Sequence, residues 1–139
     1  TNRLWGLVKE LGVEDMVHIH GHWEDMPAAY AWADVTVSAS STRPEAFGRV
    51  AVESQAMGTP VIASAHGGAL ETVADGETGR LVSPDDASAL AKAVREFMEH
   101  AEDEKTMFFN ASRHRAVEKF SIEAMTNATL CVYRQLIQG

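Results

Sequence analysis

Two glutamates, Glu45 and Glu53, stand on either side of a predicted helix start in the first half of the chain. The helix is predicted to begin at Gly48, to run through Met57 and to end before the turn at residues 58–60. The first N–H groups of a helix lack internal partners, and the helix dipole adds roughly half a positive charge there. The segment therefore favours a diphosphate with a hydroxyl-bearing group at each end, as in a nucleotide-sugar.

The residues at this helix start predict how such a ligand is held. The backbone N–H groups of Gly48, Arg49 and Val50 are expected to receive the diphosphate, and the small side chain of Ala46 keeps the approach open. The carboxylates on either side are then free to accept hydrogen bonds from hydroxyl groups.

A purely structural interpretation of the two glutamates is also open. Arg49 lies four residues before Glu53, which is the spacing of an ordinary surface ion pair worth a few tenths of a kcal/mol. Glu45 could simply favour a helix start. Spacing alone does not decide between these interpretations, because pairs of glutamates near a helix are common.

Short apolar runs alternate with amphipathic segments, which predicts an α/β fold with a parallel sheet of Rossmann type. Four short strands are expected, at residues 17–20, 34–38, 61–63 and 80–82. Helices are predicted at residues 1–11, 28–32, 48–57, after Asp86, and at 102–117 and 122–137, with Ser121 as the N-cap of the last. Loops that follow parallel strands gather at one sheet edge, where ligands bind.

Three apolar groups in the second half are expected to be core rather than ligand contacts. They are the stripe Leu90, Ala91, Val94, Phe97 and Met98, the cluster Met107, Phe108 and Phe109, and the positions Met125, Leu130, Tyr133 and Leu136.

His18, His20 and His22 alternate along the first predicted strand, which would place them on one face. This spacing raises the alternative of a metal site, but the carboxylate or cysteine that usually completes one is not apparent. Trp23 follows directly, and a core position for Trp23 with a solvated His22 is one open interpretation.

Composition limits the class of partner. Twenty acidic residues against twelve basic ones give a formal charge of -8 over 139 residues, which disfavours nucleic acid and anionic membranes. No apolar run approaches the roughly 20 residues of a membrane span. The single Cys131 has no internal disulfide partner, so a reducing, cytoplasmic setting is expected.

The segment Glu45-Ala46-Phe47-Gly48, then Glu53, then the run from Ala56 to Ser64, closely resembles the E-x7-E region of retaining, family-4-like glycosyltransferases (glycosyl transferases group 1) of the GT-B fold. The resemblance covers nearly the whole chain in the same order. It continues upstream at Val17–Gly21 and Ala33–Val35, and downstream at Gly67-Gly68 with Glu71, Asp75–Val82 and Pro84–Asp86.

The resemblance implies that residues 1–139 are the nucleotide-sugar donor-binding part of the C-terminal GT-B half, incomplete at the N-terminal side. It implies transfer of a sugar from a nucleoside-diphosphate-sugar with retention, without cofactor or metal. Glu45 would hold donor-sugar hydroxyls as the catalytic-site residue and Glu53 the ribose diol. The remaining donor contacts implied are Ala46, Phe47, Gly48, Arg49 and Val50 for the diphosphate and His22 and Trp23 for the nucleobase. Glu71 would lie beside the pocket, although a helix-start carboxylate is an equally good interpretation of this residue.

The resemblance also implies missing parts. Acceptor sugar or lipid would bind through a domain not in this sequence, which could place the enzyme at the inner face of the membrane. The Arg and Lys that neutralise the diphosphate in the family are absent, and neither Arg43 nor Arg49 matches their positions. The predicted strands correspond to strands 3, 4, 5 and 6 of the order 3-2-1-4-5-6, so two middle strands are missing. We therefore expect no turnover from these residues alone, and self-association or completion of the open sheet.

Two alternatives stay open at this point. One is a non-catalytic nucleotide-binding or interaction module that pairs with another chain. The other is a nucleotide-sugar epimerase, which the Glu45–Gly48 and Gly58–Ser64 arrangement resembles much less.

Overall fold

A parallel sheet of three strands forms the centre of the molecule in the computed structural model, which describes residues 2–41, 43 and 45–138. The strands are β1 (Thr36–Ser38), β2 (Val61–Ser64) and β3 (Gly79–Val82), in the order β1-β2-β3. Thr36 pairs with Val61, and Val61 pairs with Gly79. The predicted α/β class with a Rossmann-like parallel sheet is confirmed.

Seven α-helices accompany the sheet in the described residues. They are α1 (Asn2–Leu11), α2 (Met26–Trp32), α3 (Arg49–Ala56), α4 (Ala69–Thr72), α5 (Ala87–Glu99), α6 (Glu102–Phe120) and α7 (Ile122–Gln138), with a 3-10 turn at Glu14–Met16. Side-chain caps explain three of the starts. Asp25 accepts from the N–H of Ala28 at 3.0 Å, Asp86 from that of Ala89 at 2.8 Å, and Ser121 from that of Ala124 at 3.1 Å.

The core lies on both faces of the sheet because side chains of a strand alternate between its faces. On the face covered by α3 and α4, Val61 and Ala63 pack with Ala51 and Val73. On the opposite face, Ile62 packs with Ala93 and Phe97 of α5. The central strand β2 is buried along its whole length, as a strand covered on both faces requires.

The predicted strand at residues 17–20 is wrong: these residues pair with no strand in the described part of the chain. Val17 has an extended backbone, with φ -116° and ψ 118°, but strand conformation without a neighbour forms no ladder. In the predicted order this segment lies away from β1, and no described strand fills the space between them. One edge of β1 therefore has no partner among the described strands.

The predicted core position is also wrong for several apolar residues of α5, α6 and α7. The exposed ones are Ala91, Met98, Met107, Phe109, Met125, Leu130, Tyr133 and Leu136, with Met107 72% and Leu136 75% exposed. An apolar stripe predicts a face that can be buried, but the main packing of α7 in the described residues is against the neighbouring α6. Phe97 and Phe108 do join the core.

None of the helices in the described residues has the length and apolar character needed to cross a membrane.

Candidate functional site

The loops after β1 and β2 meet at the carboxyl edge of the sheet, where the sequence predicted a site. The N–H of Gly68 donates to the carbonyl of Glu45 at 2.8 Å. A methyl group on Gly68 would lie only 2.3 Å from the carbonyl carbon of Phe47, so the two backbones are in direct contact. Only glycine allows this approach, and it fixes the height of the Glu45–Gly48 segment above the sheet.

Gly48 is the N-cap of α3 and has a left-handed backbone, with φ 80° and ψ 55°. Its carbonyl accepts from the N–H groups of Ala51 and Val52. The N–H groups of Arg49 and Val50 have no acceptor among the described residues, and no described side chain caps this helix. The start of α3 therefore presents free donors of the kind that bind an anion.

Glu53 lies one turn into α3 and is held from two sides. Its Oε1 accepts from Nε and Nη2 of Arg49, at 3.2 and 2.8 Å, and its Oε2 accepts from the hydroxyl of Tyr30 at 3.5 Å. The pair with Arg49 has the geometry of the surface ion pair weighed as the alternative. The Glu53 side chain is still 40% exposed, so its carboxylate remains open to a ligand hydroxyl.

Tyr30 contributes to this cluster, and sequence reasoning missed it. The residue is 7% exposed, and this burial raises the pKa of the Tyr30 hydroxyl, with the negative charge of Glu53 adding to the effect. The hydroxyl is protonated at neutral pH, as an ordinary tyrosine is, and donates to Glu53. Tyr30 lies on α2, whereas Glu53 lies on α3. The apolar pattern of α2 was the only signal for Tyr30, and such a pattern does not indicate which polar group its hydroxyl will contact.

Glu45 is exposed and makes no ion pair with a described residue. One carboxylate oxygen, Oε2, lies 3.4 Å from the position that a methyl group on Gly48 would take. The carboxylate therefore lies beside the start of α3 without capping it. The interpretation that Glu45 favours the helix start is thus not supported by a capping hydrogen bond in the described residues. The structure brings Glu45, Gly48 and the free N–H groups together.

A buried polar network lies between α3 and its neighbours, and little in the sequence indicates it. Ser54 Oγ donates to Thr36 Oγ1 at 2.9 Å, and Gln55 Nε2 donates to the carbonyl of Thr72 at 3.0 Å. Thr72 Oγ1 donates to the carbonyl of Gly68 at 2.9 Å. Ser54, Gln55 and Thr72 are fully buried. Helical spacing from Ala51 was the available signal, since residues three and four positions on share its inward face.

His22 and Trp23 are both exposed, and no hydrogen bond or ring contact of the described residues joins them to the start of α3. Trp23 is 48% exposed and meets the ring of His20 edge-on, at 5.3 Å between centroids. The core interpretation of Trp23 is therefore wrong, while the exposure of His22 matches the solvated interpretation. No group of three His, Cys, Asp or Glu in the described ranges is arranged to hold a metal ion.

A cavity of about 260 Å³ opens at the same sheet edge, on the side of α5. It is lined by Ala39, Ser40, Ser41, Ser64, Val82, Ser83, Asp85, Asp86, Ala87 and Leu90. None of the predicted site residues lines it. Two aspartates without a basic side chain among the lining residues make this cavity a poor place for a diphosphate.

Solved structures place this arrangement in the GT-B class of glycosyltransferases. A sucrose-phosphate synthase from Thermosynechococcus elongatus superposes with a TM-score of 0.86 at 39% identity, covering 99% of this chain and 34% of that one. Anabaena Alr3699/HepE, solved in complex with UDP-glucose, has a TM-score of 0.84 at 29% identity, covering 95% and 36%. The C-terminal domain of a group 1 family protein from Francisella tularensis shares the fold, with a TM-score of 0.74 at 24% identity, covering 87% and 62%.

Residues 1–115 match the family described as glycosyl transferases group 1, and the chain belongs to this family. A relative is the MMP alpha-(1->4)-mannosyltransferase of Mycolicibacterium hassiacum, 35% identical over 132 residues, which are 94% of this chain and 32% of the relative. Another is the D-inositol 3-phosphate glycosyltransferase of Streptomyces coelicolor, 35% identical over 133 residues, which are 96% and 29%. The chain thus spans about a third of the length of these relatives.

Proposed function

We propose that residues 1–139 form the donor-binding domain of a retaining hexosyltransferase that uses a nucleoside-diphosphate-sugar. The observation that carries the proposal is the start of α3. There a left-handed Gly48 leaves the N–H groups of Arg49 and Val50 without acceptors among the described residues. The exposed carboxylate of Glu45 and the half-buried carboxylate of Glu53 lie on either side of this helix start in the sequence.

In this proposal the α3 start contacts the diphosphate, and Glu45 holds donor-sugar hydroxyls while Glu53 holds the ribose diol. The departing nucleoside diphosphate gains negative charge during transfer. Fixed N–H dipoles aimed at that charge stabilise the transition state more than the ground state. The glutamates orient the donor, so the role of Glu45 at the catalytic site differs from that of the paired acid and nucleophile of glycoside hydrolases. The mechanism needs no metal ion or cofactor.

The choice of donor follows the solved neighbours. Anabaena Alr3699/HepE was solved with UDP, with UDP and glucose, and with UDP-glucose, so UDP-sugars are the first donors to test. His22 and Trp23 are proposed as nucleobase contacts, with Trp23 supplying an exposed ring that a base can stack on. We propose that an acceptor sugar or lipid binds to a part of the enzyme other than these 139 residues. The enzyme is proposed to be cytoplasmic.

The test is the affinity for UDP, measured by calorimetry on the full chain and on Glu53→Gln. We expect the variant to lose about 1 to 3 kcal/mol of binding free energy with an unchanged fold, because one charge-assisted hydrogen bond to the ribose is weakened. Glu96→Gln is the matched control, since Glu96 forms the same type of surface pair with Lys92 on α5, at 3.6 Å. Equal affinity for Glu53→Gln and the parent would contradict the ribose contact.

A second candidate is a non-catalytic module that pairs with another chain. The unpaired edge of β1 and the exposed apolar side chains of α7 favour it, since both are surfaces that a partner or a second copy can cover. Sedimentation with turnover assays on a UDP-glucose donor separates the two. A monomer with two-state unfolding and measurable turnover would rule out the module and also our expectation that these residues alone are inactive.

A further inference from the structure

Two phenylalanines of α6 contact the residues that flank the two ends of α3. A methyl group on Gly58, just after α3, would lie 2.4 Å from the ring of Phe109, so this ring packs directly against the glycine. At the other end, the ring of Phe120 meets the ring of Phe47 edge-on, with 5.8 Å between centroids and 78° between planes. Phe109 and Phe120 are about three helical turns apart and so share one face of α6.

The middle of α6 is fixed to the sheet side of the molecule. Ser112 is fully buried, and its Oγ donates to the carbonyl of Thr78 at 3.2 Å, while Ala116 is 3% exposed. Arg113 Nη1 donates to the carbonyl of Ala56 at the end of α3, at 3.4 Å. The helix therefore acts as a rigid support along α3.

Arg115 fixes the position of the Phe120 ring. Its guanidinium lies 5.8 Å from the centre of that ring, within the range of a cation–π contact. The same group donates from Nη2 to the carbonyl of Glu71 at 2.7 Å and from Nε to that of Thr72 at 3.3 Å. Arg115 thus links Phe120 to the last turn of α4. The helix α4 begins directly after Gly68, and Gly68 contacts the backbone of Phe47.

Phe47 is consequently held at two points. Its backbone packs against Gly68, and its ring forms a T-shaped pair with the ring of Phe120. Phe47 stands between Glu45 and Gly48, so a rotation of its backbone would displace the Glu45 carboxylate and would also reorient the first N–H groups of α3. Groups that bind a charged ligand must be held to within fractions of an ångström of their working geometry.

We propose that Phe120 is a positioning residue: through Phe47 it holds the Glu45–Gly48 segment and the free N–H groups of α3 in the geometry that binds a nucleoside diphosphate. Phe109 supports the opposite end of α3 and has no such role. The binding consequence rests on the proposed function, whereas the ordering of the segment does not.

Hydrogen exchange tests the ordering without any ligand. The full chain is compared as parent, Phe120→Ala, Phe120→Tyr and Phe109→Ala, with melting temperatures measured for all four. We expect Phe120→Ala to speed exchange in the peptide covering residues 45–52 by about tenfold, because local opening there loses a packing partner. Phe120→Tyr keeps the ring and should exchange like the parent. Phe109→Ala should lower the melting temperature without changing exchange in the peptide covering residues 45–52.

Affinity for UDP, measured on the same four proteins, tests the consequence for binding. Phe120→Ala should bind about five to twenty times more weakly, and Phe109→Ala within about twofold of the parent. Phe120→Leu, which keeps apolar bulk without a ring, replaces Phe120→Ala if that variant does not fold.

The outcomes separate the two proposals. Unchanged exchange at residues 45–52 in Phe120→Ala, or equal acceleration in Phe109→Ala, overturns the positioning role. A parent that does not bind UDP or GDP, with faster exchange in Phe120→Ala only, removes the proposed function and leaves the positioning role standing. Normal UDP affinity in Phe120→Ala despite faster exchange overturns the link from Phe120 to binding.

Discussion

The region around α3 and the helix α7 differ in which side chains they bury. Around α3, polar Ser54, Gln55 and Thr72 are fully buried and hydrogen-bonded, with Gln55 Oε1 as the atom left without a partner in the described residues. On α7, apolar side chains are exposed, and Ile137 is 84% exposed. The difference arises because α3 lies between the sheet and α6, whereas the main contact of α7 in the described residues is with α6 alone. Residue polarity alone would have assigned both regions wrongly, so the number of covering elements decides burial here.

Two isoleucines test this comparison most directly. Ile62 on β2 is 1% exposed, and Ile62→Ala should lose about 2 to 5 kcal/mol of unfolding free energy from lost burial and the cavity that remains. Ile137→Ala on α7 should change it by less than about 0.5 kcal/mol. Urea unfolding followed by circular dichroism measures both. A loss above 1.5 kcal/mol for Ile137→Ala would show that α7 is covered in solution.

The contact between Gly68 and Phe47 gives the next largest expected effect. Gly68 has ordinary helical angles, so alanine brings no backbone strain, but its methyl group would overlap the carbonyl group of Phe47. Gly68→Ala should therefore lose about 2 to 3 kcal/mol in the same unfolding experiment. Gly21→Ala is the control, because nothing lies within 4 Å of its added methyl group. Similar stability of the two variants would contradict the close approach of the two loops.

Gly48→Val adds backbone strain at the helix start where the diphosphate is expected to bind. A branched side chain at φ 80° should lose about 1 to 3 kcal/mol of stability and should abolish UDP binding more completely than Glu53→Gln. Gly12→Val carries similar strain at φ 66° after α1, with open space around it. Calorimetry should find normal UDP affinity for Gly12→Val. Normal affinity for Gly48→Val would remove the diphosphate from this helix start.

The two tyrosines of the chain give the smallest expected effect. Because burial and Glu53 raise the pKa of Tyr30 in the folded chain, the folded state holds that proton more tightly than the unfolded state. The resulting stabilisation is present below about pH 10 and is lost as the pH rises through the folded pKa. Tyr30→Phe should remove this alkaline loss, whereas Tyr133→Phe on exposed α7 should keep it. Unfolding curves between pH 9 and about 11 measure the difference.

The sequence predicted the elements that depend on local pattern. The strands Thr36–Ser38, Val61–Ser64 and Gly79–Val82, the start of α3 and the Ser121 cap follow from apolar runs, glycines and capping residues. It failed at residues 17–20, because a strand needs a neighbour as well as a pattern.

For the site, the sequence predicted the glutamates and Gly48 but neither Tyr30 beside Glu53 nor Phe120 beside Phe47. Both contacts join residues far apart in the chain. Which residues meet depends on how the helices pack, and the periodicity of the sequence does not indicate this. The roles assigned to Glu45 and Glu53 remain predictions until donor binding is measured.

The exposed thiol of Cys131 allows the surface of α7 to be probed by chemical labelling. Cys131 is the only cysteine of the chain and lies exposed on this helix, so a maleimide dye will attach there and nowhere else. Its labelling rate, followed at Cys131 and compared between this chain and a longer protein that contains it, reports whether α7 is shielded. The same dye reports assembly of two copies through a change in its anisotropy.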